Sequence, residues 1–406
     1  MEKMKSGFLV FFLMVLVVFE SSAQNSDKNY VLTTAVPFLM IAPEARGGGM
    51  GYLGVSSSSD PYSIYWNPAK YAFSEKDFGV GIGYVPWLRS LVSDMGLASV
   101  AGFKKFGDKQ AIGASLRFFS LGEVQYTDIN GVELNTGKPN EWAIDATYAR
   151  KFSSSLSMAV AGRFIYSNLV PGYSNNYGLK PGTAVAADIA IYYEKPLEIS
   201  GLSGASFNFG VNISNIGNKI SYSSSTITRD FIPTNLRIGP SFTMDIDDYS
   251  RLSFYLDLNK LLVPSPPIYK TKDSANTVIY LYGADGKRLI DKGKSPDVST
   301  VQGMIQSFYD SPAGFSGELR EINAVLGAEY WYNKLFAIRA GYFYEDKLYG
   351  DRKFFTLGAG LRYNVFGLDF SYLIPVKSQN PLKNTLQFTL LFNFDQVQNK
   401  EKATRE

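Results

Sequence analysis

From Phe78 to Phe394 the chain alternates, segment after segment, between an apolar residue and a small or polar one. The final segment, NTLQFTLLFNF from Asn384, places Leu386, Phe388, Leu390, Phe392 and Phe394 on one side of a period-two ribbon. Thr385, Gln387, Thr389 and Asn393 fall on the other side, and Leu391 alone breaks the pattern. The same alternation runs through Phe78/Val80/Ile82/Tyr84, Phe207/Phe209/Val211/Ile213, Leu252/Phe254/Leu256/Leu258 and Leu368/Phe370/Tyr372/Ile374. Between them stand Gly79, Gly81, Asn208, Asn212, Asp257, Asp369 and Ser371. Such ribbons are strands with two different solvents on their two faces. The pattern predicts strands near 78–87, 96–106, 109–121, 140–152, 155–167, 183–195, 204–216, 235–246, 250–262, 322–333, 335–346, 352–364, 366–376 and 384–394. That is about fourteen, an even number, each near the ~10 residues that a tilted strand needs to cross a bilayer.

The connections sharpen this. Tight turns follow most even-numbered strands, at Gly107-Asp108, Ser153-Ser154, Asp247-Asp248-Tyr249, Asn333-Lys334 and Asn364-Val365. Long segments follow most odd-numbered ones, at 122–139, 168–182, 217–234 and 263–321. Short turns on one rim and long loops on the other are the asymmetry of an outer-membrane barrel, with the long loops outside the cell. Aromatics at strand ends (Tyr84 and Trp87; Tyr192 and Tyr193; Tyr330, Trp331 and Tyr332) suit interfacial belts. A soluble periplasmic β protein would need a second layer over the apolar faces, and the pattern offers no helices for it.

Outside the strands the chain divides simply. Lys3 and Lys5, the apolar run Phe8 to Phe19 and Ser21-Ser22-Ala23 read as a secretory signal over 1–23. Twelve apolar residues are too few for a membrane-spanning helix, which needs ~20. Residues 24–77 lack periodicity and are dense in turn formers, yet Ile64, Tyr65 and Trp66 demand burial. A plug inside the barrel, with a short helix in it, would bury them. Asn67 precedes Pro68 and is held extended, fixing a turn through Trp66, Asn67, Pro68 and Ala69. In loop 263–321 a hairpin is expected over 276–290, turning at Gly283-Ala284-Asp285-Gly286. Residues 395–406 read as a polar tail.

Composition narrows the chemistry. The 406 residues include no cysteine and no histidine, which excludes disulfides, thiolate chemistry and a Ser-His-Asp triad. A net charge of +3 gives no case for nucleic acid. No catalytic residue, cofactor or metal site is expected. The Gly47–Gly51 cluster lacks the Lys-Ser/Thr ending of a phosphate loop. Asp145, Asp188, Asp257, Glu329 and Asp369, with Arg117, Arg163, Arg237, Arg339 and Arg362, lie on polar faces and should pair in the lumen or with the plug. Glycines 79, 81 and 83 would either kink the wall or admit the plug closely.

Two stretches carry a family resemblance. One runs from Ala45-Arg46-Gly47-Gly48-Gly49-Met50-Gly51 to Tyr65-Trp66-Asn67-Pro68-Ala69. The other is Gln306-Ser307-Phe308-Tyr309-Asp310-Ser311-Pro312-Ala313-Gly314-Phe315-Ser316-Gly317-Glu318-Leu319. The chain resembles the FadL family of plugged outer-membrane barrels and, more specifically, the PorV family of type IX secretion shuttle proteins; the second stretch is the more specific. The hairpin-like insert and the tail after Phe394 depart from the pattern. The resemblance implies a non-enzymatic protein that works with the type IX translocon barrel. It would take the C-terminal domain of exported cargo and deliver it to a sortase-like complex that attaches cargo to lipopolysaccharide of the outer membrane. Ser307, Phe308, Tyr309, Asp310, Pro312 and Phe315 are then the candidate cargo or partner contacts. The alternative is a FadL-type transporter with an apolar pocket in the lumen.

Overall fold

The computed structural model describes residues 30–89, 91–127, 130–171, 179–223, 229–274, 277–377 and 380–395. The expected signal and all of the expected tail beyond Asp395 lie outside the described residues. Fourteen strands form one closed antiparallel barrel. They are β1 (Phe78–Pro86), β2 (Gly96–Phe106), β3 (Gln110–Ser120), β4 (Asn140–Lys151), β5 (Leu156–Asn168), β6 (Gly182–Leu197) and β7 (Gly204–Gly217). The others are β8 (Asn235–Asp245), β9 (Ser250–Leu261), β10 (Asn323–Tyr332), β11 (Phe336–Tyr344), β12 (Lys353–Tyr363), β13 (Phe366–Pro375) and β14 (Leu386–Phe394). Every strand begins and ends within two residues of the bounds its alternation predicts. The first strand closes on the last, from Phe78↔Phe394 to Tyr84↔Phe388, so the barrel has no free edge.

The alternation sorts side chains as a membrane barrel requires. On β14, Phe388 and Leu390 are exposed to the outside, while Gln387, Thr389 and Leu391 are buried in the lumen. Leu391 breaks the pattern because it packs against lumen aromatics, Tyr62 and Tyr71 among its cluster. At the tight-turn rim Phe152, Tyr249, Tyr332, Tyr363 and Phe366 are exposed, as an interfacial belt would be. Tyr192 and Trp331 do not join it. Tyr192 is buried in the lumen, and Trp331 lies beneath Arg339 and Arg362, at 5.4 and 5.2 Å. Successive residues of a strand face opposite ways, so adjacent aromatics cannot all reach the interface.

Residues 30–77 fill the lumen with short pieces: a 3-10 turn Pro37–Met40, α1 (Ala45–Gly49), α2 (Ser63–Trp66) and a second 3-10 turn Pro68–Phe73. The glycine cluster exists for contact with the wall. A Cβ on Gly48 would stand 1.5 Å from Gln387 Oε1, and one on Gly49 would stand 2.9 Å from Gly358 Cα. The wall answers with its own glycines; a Cβ on Gly341 would stand 2.1 Å from the Met50 carbonyl carbon. Gly81 faces the Tyr62 ring and Gly83 the Pro43 carbonyl, so of the two roles considered for the β1 glycines it is close packing that is seen.

The long-loop rim carries more order than its sequence announces. Val124–Thr127 pairs with Glu133–Gly137 in a small ribbon. In the longest loop the expected hairpin is re-registered. Thr277–Tyr280 pairs backward with Thr271–Ser274, and Ile290–Lys292 pairs with Ile268–Tyr269. The turn at Gly283–Gly286 is present, closed by a single Tyr282↔Arg288 bridge, and Asn276 lies outside the described residues. The polar run TKDS before it, which has no apolar alternation, is the partner that the sequence pattern passes over. Two short helices follow, α3 (Thr300–Gln306) and α4 (Phe315–Arg320).

Candidate functional site

Two features of the barrel could carry function: the ionic packing of its lumen and the folded loop on its rim. In the lumen, the charged groups pair as expected and also grip residues 30–77. Arg339 bonds Glu329 at 2.7 Å and Asp369 at 2.8 Å, and Arg362 bonds Asp369 at 2.7 Å. Arg163 bridges Asp145 and Asp188, with Arg117 at 3.4 Å from Asp145. Arg46, on α1, reaches Glu329 at 2.9 Å and Asp60 at 2.9 Å. Asp257 accepts from the Gly54 and Val55 amides, at 2.9 and 3.0 Å. Arg237 lies over the Tyr65 and Trp66 rings at 4.7 and 4.8 Å, a buried cation–π contact.

The turn singled out in the sequence is held from every side. Trp66 Nε1 donates to Glu44 at 2.8 Å. Asn67 is extended at φ −165°, its Oδ1 caps the Ala69 amide, and its Nδ2 donates to the Val55 and Ile191 carbonyls at 2.9 Å each. Pro68 opens the second 3-10 turn, and the Ala69 carbonyl accepts from Ser157 Oγ of β5 at 2.8 Å. Glu44 and Lys70, both buried, were not signalled by the sequence. Glu44 caps α1 through Gly47, and Lys70 donates to the Gly54 carbonyl at 2.7 Å. In the sequence alone, their charge argues for exposure.

The rim loop is a folded unit seated on the outer wall beside β8 and β9. Ser299 caps α3, and Gln306 at its end donates to Asp310 at 3.2 Å and to the Ser295 carbonyl at 3.0 Å. Lys260 leaves β9 on the outward side, yet it is buried, because Glu318 and Glu321 close over it at 3.0 and 2.5 Å. Ser265 Oγ donates to Glu321 at 2.5 Å, and the Ser265 amide donates to Asp310 at 3.2 Å. Burial pushes the Asp310 and Glu321 carboxyls above their ordinary pKa values, against the opposing pull of their hydrogen bonds and, for Glu321, of Lys260.

This scaffold divides the six candidate contacts. Phe308, Tyr309 and Phe315 stand out from the loop, Phe315 being 77% exposed. Ser307 and Asp310 are buried and hold the loop's shape, with Ser307 Oγ donating to the Met304 carbonyl at 2.8 Å. Pro312 is half-buried. Phe308, Phe315 and Leu319 face Leu236, Ile238 and Leu258 of the outer wall across a groove of ≈ 220 Å³. Sequence reasoning found the aromatics but missed the two helices. Ser299 before Thr300 was the available signal, a helix cap ahead of TVQGMIQ.

A closed fourteen-strand antiparallel barrel, apolar outside and ionic inside, with its N-terminal segment packed in the lumen, defines a barrel of the outer-membrane type. Within that class the chain belongs to the PorV family: the family described as type IX secretion system protein PorV matches residues 23–268. The rim loop after residue 268 lies beyond the matched stretch. No curated protein matches the chain. Among solved structures it is similar to the toluene transporter TodX of Pseudomonas putida, at 10% identity and TM-score 0.46, over 90% of this chain and 98% of that one. It is similar also to the toluene transporter TbuX of Ralstonia pickettii, at 13% identity and TM-score 0.46, over 87% and 98%. A Pseudomonas aeruginosa FadL homologue matches at 12% identity and TM-score 0.41, over 90% and 99%.

Proposed function

We propose that this protein is a non-enzymatic outer-membrane component of the type IX secretion system. In this reading it binds the C-terminal domain of exported cargo at the translocon and passes it to the sortase-like attachment complex at the cell surface. Family membership over residues 23–268 is the observation that carries the reading. Two features of the barrel support it. The lumen is filled by the protein's own chain, which suits a docking platform better than a conduit. The rim loop offers Phe308, Tyr309 and Phe315 on a folded base, and burying one such ring in a partner contributes ~1.5–3 kcal/mol.

The test is recovery of the tagged protein from outer membranes in mild detergent, followed by mass spectrometry. The expected companions are a very large barrel and secreted proteins that share a C-terminal domain. In the Phe308→Ala/Phe315→Ala variant the barrel should fold as before while cargo recovery falls at least tenfold. Normal export by that variant would remove the loop from the reading. Recovery of wild-type protein alone, with a fatty acid or other apolar compound bound, would replace the shuttle with a transporter.

A further inference from the structure

Outside the lumen, among the described residues, one cluster of carboxylates outnumbers its cations. Asp310, Glu318 and Glu321 each bring a carboxylate oxygen to within 4.8 Å of the others, and all three side chains are buried. They come from the turn after α3, from α4 and from the residue that caps it. Lys260 supplies one ammonium, shared between Glu318 and Glu321. Asp310 spends Oδ2 on the Ser265 amide and the Gln306 side chain, while its Oδ1 is buried without a hydrogen-bond partner, although the residue is only 1% exposed. A buried carboxylate oxygen with nothing to accept is costly, and a donor or cation beside it would relieve that cost. One ammonium cannot neutralise three carboxylates, and it does not serve that oxygen.

The donor set defines what would. The oxygens there are hard, three carboxylates with the Ser265 hydroxyl beside them. All the carboxylate oxygens but Asp310 Oδ1 already accept from Lys260, Ser265, Ser311 or Gln306, and the chain contains no sulfur or imidazole ligand from cysteine or histidine. Oxygen-only sets of this kind select calcium or magnesium over zinc, copper or iron. Ligands drawn from a turn and a short helix suit calcium, which tolerates irregular geometry where magnesium demands a regular octahedron.

We propose that Asp310, Glu318 and Glu321 form a calcium-binding site on the rim loop. The ion would tie the turn that carries Phe308, Tyr309 and Asp310 to α4, which carries Phe315. Through Lys260 it would tie both to the end of β9. Calcium would then set the spacing of the exposed aromatics. No partner takes part in holding the ion.

The experiment uses the full mature chain, purified in detergent and stripped with EGTA. Terbium is the probe, sensitised by Tyr349, whose hydroxyl lies 3.0 Å from Ser311 Oγ, the residue that precedes Pro312 in the same turn. One saturable terbium site, displaced by calcium, is expected, with at least tenfold weaker binding in Asp310→Asn and in Glu318→Gln. Calcium should also slow protease cleavage within 263–321 in the wild type but not in Asp310→Asn. Phe315→Ala, which removes an exposed ring without touching the carboxylates, should keep the site, and the heat-modifiable gel band of each variant reports whether its barrel is folded. Absence of saturable terbium or calcium binding in the wild type would overturn the proposal. So would binding that Asp310→Asn and Glu318→Gln leave unchanged, or binding lost equally in Phe315→Ala. Because no partner takes part, either result stands apart from the outcome of the export experiment.

Discussion

At the scale of residues, the lumen is held by charges that could not stand there alone. Glu329 accepts from Arg46 of the inserted segment and from Arg339 of the neighbouring strand, and all three are buried. Removing one partner of a buried pair strands the other and costs ~3–5 kcal/mol, more than the pair contributes net. Glu329 keeps Arg339 and Arg46 keeps Asp60, so Arg46→Met and Glu329→Gln should each lower stability by less, ~1.5–3 kcal/mol, read as the urea midpoint of barrel unfolding in micelles. The double variant should lose clearly less than the sum, since both single changes remove the same Arg46–Glu329 contact. Strict additivity would mean that Arg46 and Glu329 do not act as a unit. The wall half of this network was legible in the sequence, because a basic or acidic residue on the polar face of a spanning strand has nowhere to go but the lumen. Glu44, Arg46 and Lys70 were not, since nothing in an aperiodic segment says which way a side chain points.

At the scale of elements, strands and loops were legible to very different degrees. Period two is reinforced at every strand by lipid on one side and lumen on the other, so the bounds of all fourteen could be read to within two residues. Helices of six or seven residues, such as α3 and α4, span too few turns for a 3.6-residue period to show. The rim hairpin misled for a related reason. Its turn at Gly283–Gly286 is conspicuous, but its longer ladder uses Thr271–Ser274, whose side chains are polar and carry no face. The loop's own integrity rests on close contacts at α4. A Cβ on Gly317 would fall 2.0 Å from Ser311 Oγ and 2.9 Å from the Tyr349 hydroxyl. Gly317→Ala should accordingly push α4 off its seat, raising the rate of proteolysis within 263–321 several-fold while the barrel's unfolding midpoint stays within error. A parallel fall in both would show that loop and barrel unfold together.

At the scale of the molecule, the question is what a barrel this wide does with its interior. Here the chain spends its own N-terminal segment on it: Tyr62, Trp66 and Tyr71 are fully buried between strands, and backbone meets backbone at Met50 and Gly341. The contacts are distributed around the wall, from β1 at Gly83 through β7 at Gly210 to β12 at Gly358, so no one strand carries the seal. A lumen packed in this way should pass neither ions nor small solutes, whatever its strand count would allow. In planar bilayers the wild-type protein should show no steady conductance. Deleting residues 30–73 should open a pore of nanosiemens order in those molecules that still give the heat-modifiable band of a closed barrel. Arg46→Met should stay silent, since Asp257, Arg237 and the glycine contacts still hold the segment in place. A steady, wild-type conductance matching that of the deletion would mean that residues 30–77 leave the lumen in the membrane. The protein would then have to be regarded as a gated channel, and the case for a closed docking platform would fall with it.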